Sequence, residues 1–216
     1  MANRRLEKIA SMVQKGMITA DIGTDHAFLP IMLVQEGICE KVYACDVAKG
    51  PLQAARDHIA SAHLSSCITT ILTDGLKDVP MDTKCVVIAG MGYQTARGIL
   101  EREMKRLYDL KQIIVEVNRD TVSMRRWITD HGFTIVNETH VYDRGHDYVT
   151  IDFNTKPHAP YSLEDLIAGP ILKSSKDEEY MAYMKRRADK ISHILSVSDH
   201  DSLKEELSIL ESCIRK

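Results

Sequence analysis

The sequence predicts an α/β protein built on a doubly wound, mostly parallel sheet, followed by a small helical appendage. Three observations predict it. Short apolar runs rich in β-branched residues recur along the chain, segments of helical period separate them, and the alternation gives way to two extended runs in succession. Continuous apolar runs are strands buried on both faces, which is what helices on both sides of a parallel sheet require. Residues 17–22, 41–45, 68–72, 85–89 and 113–117 are read as those strands. A helix over 121–131 then leads into 134–141 and 148–153, which Asp143-Arg144-Gly145 joins as an antiparallel hairpin at one edge.

Lys156-Pro157-His158-Ala159-Pro160 marks a change of periodicity, because two prolines interrupt regular structure. The expected domains are therefore 1–156 and 157–216. In the second, Tyr180, Met184, Ile191 and Leu195 form one helical stripe, and Leu203, Leu207, Leu210 and Ile214 another. Such narrow stripes suit a coiled-coil hairpin of two antiparallel helices, turned by the polar run from Ser196 to Ser202.

Composition bounds the rest. With 216 residues, 44% of them hydrophobic, the chain has the material for a core of its own. Cys39, Cys45, Cys67, Cys85 and Cys213 form no CxxC pair and mostly lie in apolar runs, so free thiols in a reducing compartment are expected. Neither a bilayer-spanning run nor a signal-peptide pattern is present in the sequence, and a cytoplasmic location without membrane attachment is expected. The net charge of −3 gives no global attraction for phosphate, so a nucleic-acid partner must be met by local patches. The histidines and cysteines show no ligand spacing, so no metal is expected; a monomer or weak dimer is the expected state.

Open parallel sheets bind ligands at the carboxyl ends of their strands. The first such loop, Asp21-Ile-Gly-Thr-Asp-His-Ala-Phe-Leu-Pro30, holds Gly23 but lacks the three-glycine spacing that seats a dinucleotide pyrophosphate. Asp46 ends the second strand, where a carboxylate can accept both hydroxyls of a ribose. Asp74-Gly75 follows the third strand, with a side-chain acceptor for an adenine amino group, and Gly90-Met91-Gly92 follows the fourth, where small residues allow close approach. A nucleoside signal without a pyrophosphate signal, on a sheet ending in a hairpin, matches the class I methyltransferase architecture. The competing readings are local: Asp21 and Gly23 as a strand-to-helix turn, Asp46 as a solvated strand end, Asn118 as a helix cap, His26 as a structural residue and Tyr93 as packing.

The chain also resembles the bacterial TrmK family, the tRNA (adenine-22, N1) methyltransferases, over nearly its whole length. The resemblance is carried by Arg5-Leu6 with Ile9-Ala10, by Ala20-Asp-Ile-Gly-Thr-Asp-His-Ala-Phe-Leu-Pro30, by Ile88-Ala-Gly-Met-Gly92, and by Gly169-Pro170 with Leu172. Two segments depart from the family pattern: Glu116-Val117-Asn118 stands in place of Gln-Pro-Asn, and Tyr93 follows Gly90-Met91-Gly92 in place of glycine.

The resemblance implies transfer of a methyl group from S-adenosylmethionine to N1 of an adenine in tRNA. The expected cofactor residues are Asp21, Gly23, Thr24, Asp25 and His26 in the first loop, Asp46 and Val47 in the second, Asp74 and Gly75 in the third, and Gly90, Met91 and Gly92 in the fourth. Asn118 is expected to orient the base, Asp25 to shape the pocket and Tyr93 to stack on the base. Arg5 and Arg126 are expected at the acceptor through their match to the family. Lys185, Arg186 and Arg187, with Lys190, Lys173 and Lys176, are candidate phosphate contacts, against the simpler reading of a solvated helix face. Two other functions compete: a methyltransferase acting on another RNA or a small-molecule acceptor, and a catalytically silent nucleoside- or RNA-binding module.

Overall fold

The computed structural model describes residues 3–175 and 177–215. Its elements run in the order α1 (Arg4–Met12), β1 (Thr19–Ile22), α2 (Phe28–Gln35), β2 (Val42–Asp46), α3 (Lys49–Ser61), β3 (Ile68–Leu72), β4 (Cys85–Met91), α4 (Tyr93–Arg102), α5 (Met104–Leu107), β5 (Gln112–Val117), α6 (Thr121–Asp130), β6 (Thr134–Asp143), β7 (His146–Asn154), α7 (Leu163–Ala168), α8 (Glu178–Leu195) and α9 (Asp201–Arg215). The strands form one sheet in the order β3-β2-β1-β4-β5-β7-β6. The first five are parallel, and β7 and β6 add antiparallel at the β5 edge. The strand runs expected from sequence are all present, and in the edge hairpin β6 runs two residues further toward the turn and β7 extends past its apolar stretch at both ends.

Strand side chains alternate between two apolar layers, as the period of two requires. Ala20, Ile22, Val86, Ile88, Ile113 and Val115 enter the larger layer, which continues through Trp127 and Phe133 to Ile167, Tyr180, Met184, Ile191 and Leu210. That layer crosses 156–160, so both sides of the expected boundary share one core. Val42, Ala44, Cys85, Val87 and Ile114 enter the other layer, closed by Ile9, Ala10 and Met12 of α1 and by Leu29 and Leu33 of α2.

The α1 side of the sheet is unusual in carrying buried polar groups: Thr19, Asp21, Gln112, Glu116, Thr150 and Asp152. A buried polar group is costly unless it is bonded, and α1 supplies several of the partners. Gln112 Nε2 donates to Met12 O at 2.7 Å and to Asp152 Oδ2 at 2.8 Å, while its Oε1 accepts from Gln14 N at 3.0 Å. The N-terminal helix is thereby fixed over the sheet by specific bonds, and its first turn reaches the carboxyl ends of the central strands.

The helical hairpin forms as expected, α8 against α9, with Tyr180, Met184, Ala188, Ile191, Leu210 and Cys213 buried. The segment that leads into it, α7 and the residues after it, is tied to the sheet by an ion pair in the core. Arg125 Nε donates to Glu138 Oε1 at 2.6 Å, Arg125 Nη1 to Leu166 O at 3.0 Å, and Glu138 Oε2 accepts from Ile171 N at 3.1 Å. Gly169 must be glycine here, since a Cβ would stand 2.6 Å from Glu138 Oε2 and φ is +74°. Cys39, Cys45, Cys67 and Cys85 are free thiols. No helix of the described residues is long and apolar enough to cross a membrane.

Candidate functional site

The strand order reverses between β1 and β4, which opens a crevice at their carboxyl ends. Two glycines border it. Gly23 (φ +77°) follows β1 and is held when its N–H donates to Cys45 O at 2.8 Å; Thr24 N donates to the same carbonyl at 2.8 Å. A Cβ at Gly23 would lie 2.2 Å from the Met91 methyl carbon. Gly90 (φ +76°) sits at an irregularity in the pairing of β4 with β5, and a Cβ there would lie 2.8 Å from Arg5 Nη2. At both positions the backbone turns in a conformation that side chains resist.

Asp21, 6% exposed, points into this crevice from the α1 side. Burial pushes its carboxyl up to about 6, against the opposing pull of the Thr24 hydroxyl and the Arg5 guanidinium. Asp46 ends β2, and its Oδ1 accepts from Ala48 N at 2.7 Å. The carboxylate is therefore oriented rather than free at a strand end. Val47 is 69% exposed beside it.

The other side of the crevice is built by β5 and α1. Asn118 does not cap α6, whose N-cap is Asp120. Instead Asn118 Nδ2 donates to Gly90 O at 3.1 Å and its backbone N to Met91 O at 2.9 Å, so the amide is fixed across the end of the crevice. Arg5 reaches in from α1 and lies over the Tyr148 ring at 5.0 Å; its Nε and Nη2 each stand 2.7 Å from Glu116 Oε1. Glu116 is fully buried, and desolvation raises its carboxyl while Arg5 opposes the rise. A cleft of 940 Å³ is lined by Arg5, Asp21, Gly23, Asp25, Phe28, Gly90 and Arg144 among others. Asp25 is largely solvated within it, with His26 Nε2 3.5 Å away, and His26 itself has φ +53°.

Other expected residues stand differently. Asp74 is paired on the surface with Arg102 Nη2 at 2.8 Å, and Gly75 (φ +71°) backs onto Ile99. Gly92 caps α4, and Tyr93 opens that helix half-buried against the core. Arg126 is exposed on α6, beside the buried Arg125. Lys185 is exposed. Arg186 pairs with Asp147 and lies 5.1 Å from the Tyr142 ring, while Arg187 pairs with Glu206 at 2.6 Å. Arg186, Arg187 and Lys190 line a second groove of 740 Å³ that also holds Asn118 and Arg119. Lys173 is engaged by Asp165 at 2.6 Å, and Lys176 lies outside the described residues.

Sequence reasoning missed the Arg5–Glu116 pair, Arg119 and Arg144. A glutamate inside the apolar run Ile113-Ile-Val-Glu116-Val was the available signal, because a charge in a strand buried on both faces demands a partner.

These residues fit an adenosyl group carrying a positive sulfur. Acidic groups, Asp21 and Asp25 among them, line a crevice whose walls are backbone at Gly23 and Gly90. No cluster of potential metal ligands occurs among the described residues.

Comparison with known proteins agrees with this geometry. A family model described as a methyltransferase domain matches residues 2–151. The tRNA (adenine(22)-N(1))-methyltransferase of Bacillus subtilis is 26% identical over 206 residues, covering 93% of this chain and 85% of that protein. Among solved structures, Streptococcus pneumoniae Sp1610 in complex with S-adenosyl-L-methionine superposes with a TM-score of 0.91 at 29% identity, covering 99% of this chain and 100% of the other. M. capricolum TrmK in complex with S-adenosyl-homocysteine gives 0.86 at 26% identity, covering 100% and 98%.

Proposed function

The chain belongs to the methyltransferase-domain family, with the TrmK proteins as its relatives, and from this we propose that it is a cytoplasmic enzyme transferring a methyl group from S-adenosylmethionine to N1 of adenine 22 in tRNA. The observation that carries the reading is the glycine-walled crevice between β1 and β4, with Asp46 on one side and Asn118 locked to Gly90 O on the other.

When bound, S-adenosylmethionine supplies an electrophilic methyl group on a sulfonium. Adenine N1 carries its own lone pair, so the chain needs no strong base, and orientation dominates catalysis. Asp46, with Oδ1 already held by Ala48 N, offers Oδ2 to ribose hydroxyls. Asp21, which lines the crevice, faces the cationic end of the donor. The Asn118 carbonyl stands free of the bond its Nδ2 makes and can meet the edge of the incoming base. Asp25, solvated at the cleft mouth, complements the positive charge that the methylated ring acquires. Tyr93, half-packed at the start of α4, keeps part of its ring available for stacking. In the second groove, Asp147 and Glu206 offset much of the charge of Arg186 and Arg187, which leaves Lys190 and Arg119 as the groove's candidate phosphate contacts.

The test is incubation with labelled S-adenosylmethionine and unmodified tRNA, followed by mapping of the product. N1-methyladenosine at position 22 is expected; label in another nucleoside, or none in RNA, overturns the assignment.

A further inference from the structure

Three rings crowd the outer edge of the cofactor loop. His26 and Phe28 stack with centroids 5.5 Å apart at 26°, His26 and His58 at 5.1 Å and 29°, and Phe28 and His58 lie 5.5 Å apart at 38°. The mechanism uses none of them as a platform. Phe28 is 48% exposed, although a phenyl ring at this place gains nothing from water. The backbone that presents it is constrained, since His26 and Ala27 both have left-handed φ of +53° and +56°. His58 fixes that turn from α3, with Nδ1 3.1 Å from His26 O. A carbonyl only accepts, so Nδ1 carries the proton and donates. The ring is thereby held in one tautomer and one orientation.

We propose that His26, Phe28 and His58 form a stacking platform for one nucleobase of the acceptor RNA, adjacent to the base that is methylated. The inference rests on the RNA methyltransferase reading and adds a second contact to it. Phe28 lines the main cleft, while His26 and His58 extend the ring surface outward from it. Arg144, exposed at the hairpin turn with φ +49°, lines the same cleft and makes no ion pair among the described residues. An aromatic face and a guanidinium lining one cleft are complementary to a nucleotide, ring to base and cation to phosphate. Extracting an adenine from its stack also deprives its neighbour of a stacking partner, and the platform replaces what that neighbour loses.

The experiment compares wild-type protein with Phe28→Ala, Phe28→Trp and His58→Ala. Unmodified tRNA binding is measured with S-adenosylhomocysteine present, and affinity for S-adenosylhomocysteine is measured separately by calorimetry. A tRNA carrying 2-aminopurine at either neighbour of adenine 22 reports stacking through fluorescence quenching. Phe28→Ala should bind tRNA about tenfold more weakly and lose the quench, with cofactor affinity within about twofold, and Phe28→Trp should restore both. His58→Ala should weaken binding in the same direction by freeing the turn. Unchanged tRNA affinity in Phe28→Ala, or parallel loss of cofactor affinity, overturns the platform. Methylation of tRNA by the wild-type protein is scored independently, so failure of the enzymatic reading shows as absent product even where the quench is present.

Discussion

Replacing Arg5 by alanine strips the fully buried Glu116 of its charged partner, which stands 2.7 Å away. Breaking a buried ion pair from one side costs about 3–5 kcal/mol. Two features of this site reduce the figure. The Arg5 side chain is 23% exposed, so water reaches the pair from the cleft. Glu116 can also take up a proton, which caps its penalty at roughly 1.4 kcal/mol per unit between its raised pKa and the ambient pH. A loss of about 2–4 kcal/mol near neutral pH is the result.

The pH dependence has a definite sign. A carboxyl whose folded pKa lies above its unfolded value binds more protons in the folded state, so stability falls as pH rises through that window. Removing Arg5 removes an influence that lowers the Glu116 pKa and therefore widens the window upward. Urea unfolding of Arg5→Ala should show a deficit at about pH 7.5 that shrinks by at least about 1 kcal/mol at about pH 5. In Arg5→Ala/Glu116→Gln the deficit should fall below about 1.5 kcal/mol, leaving mainly the lost contact with Tyr148. A single variant within about 0.5 kcal/mol of wild type, or an equal deficit at both pH values and in the double variant, refutes the reasoning.

Asp21→Asn should stabilise the ligand-free protein above the raised pKa of about 6, by up to about 2 kcal/mol, and flatten the fall of stability with rising pH, while weakening donor binding; unfolding across a pH series measures the first and calorimetry the second. Gly23→Ala should cost about 1–3 kcal/mol in unfolding and lower donor affinity, because it combines a positive φ with a clash at the Met91 methyl. Adding Met91→Ala should relieve the clash and leave the backbone strain. Asn118→Ala should lower kcat roughly 10–100-fold in a tRNA methylation assay with donor affinity within about twofold, since the lost amide positions the base.

The parallel strands were legible because burial on both faces leaves continuous apolar runs, and Ile68–Leu72 coincides with its sequence reading. The hairpin ends were not, because residues 142–143 and 146–147 are polar and belong to strands through backbone pairing rather than apolar pattern. Loop glycines were readable from their places after strands. Charge partners were not: Arg5 and Glu116 are 111 residues apart, and only the seating of α1 over β5 brings them together. Arg186 and Arg187 read as a basic patch, yet Asp147 and Glu206, supplied by β7 and α9, neutralise much of it. Asp74 likewise found Arg102 at the far end of α4, 28 residues on, a pairing that local pattern does not encode. Local sequence reports backbone and burial well; the pairing of charges is settled by tertiary geometry.

The central claim is that the crevice between β1 and β4 receives an adenosyl sulfonium and not a dinucleotide. Isothermal titration of the purified protein with S-adenosylmethionine, S-adenosylhomocysteine and NAD measures it directly. Saturable heat at one site per chain with the first two, and none with NAD, is the predicted result; absence of binding to both adenosyl ligands, or displacement of them by NAD, contradicts it.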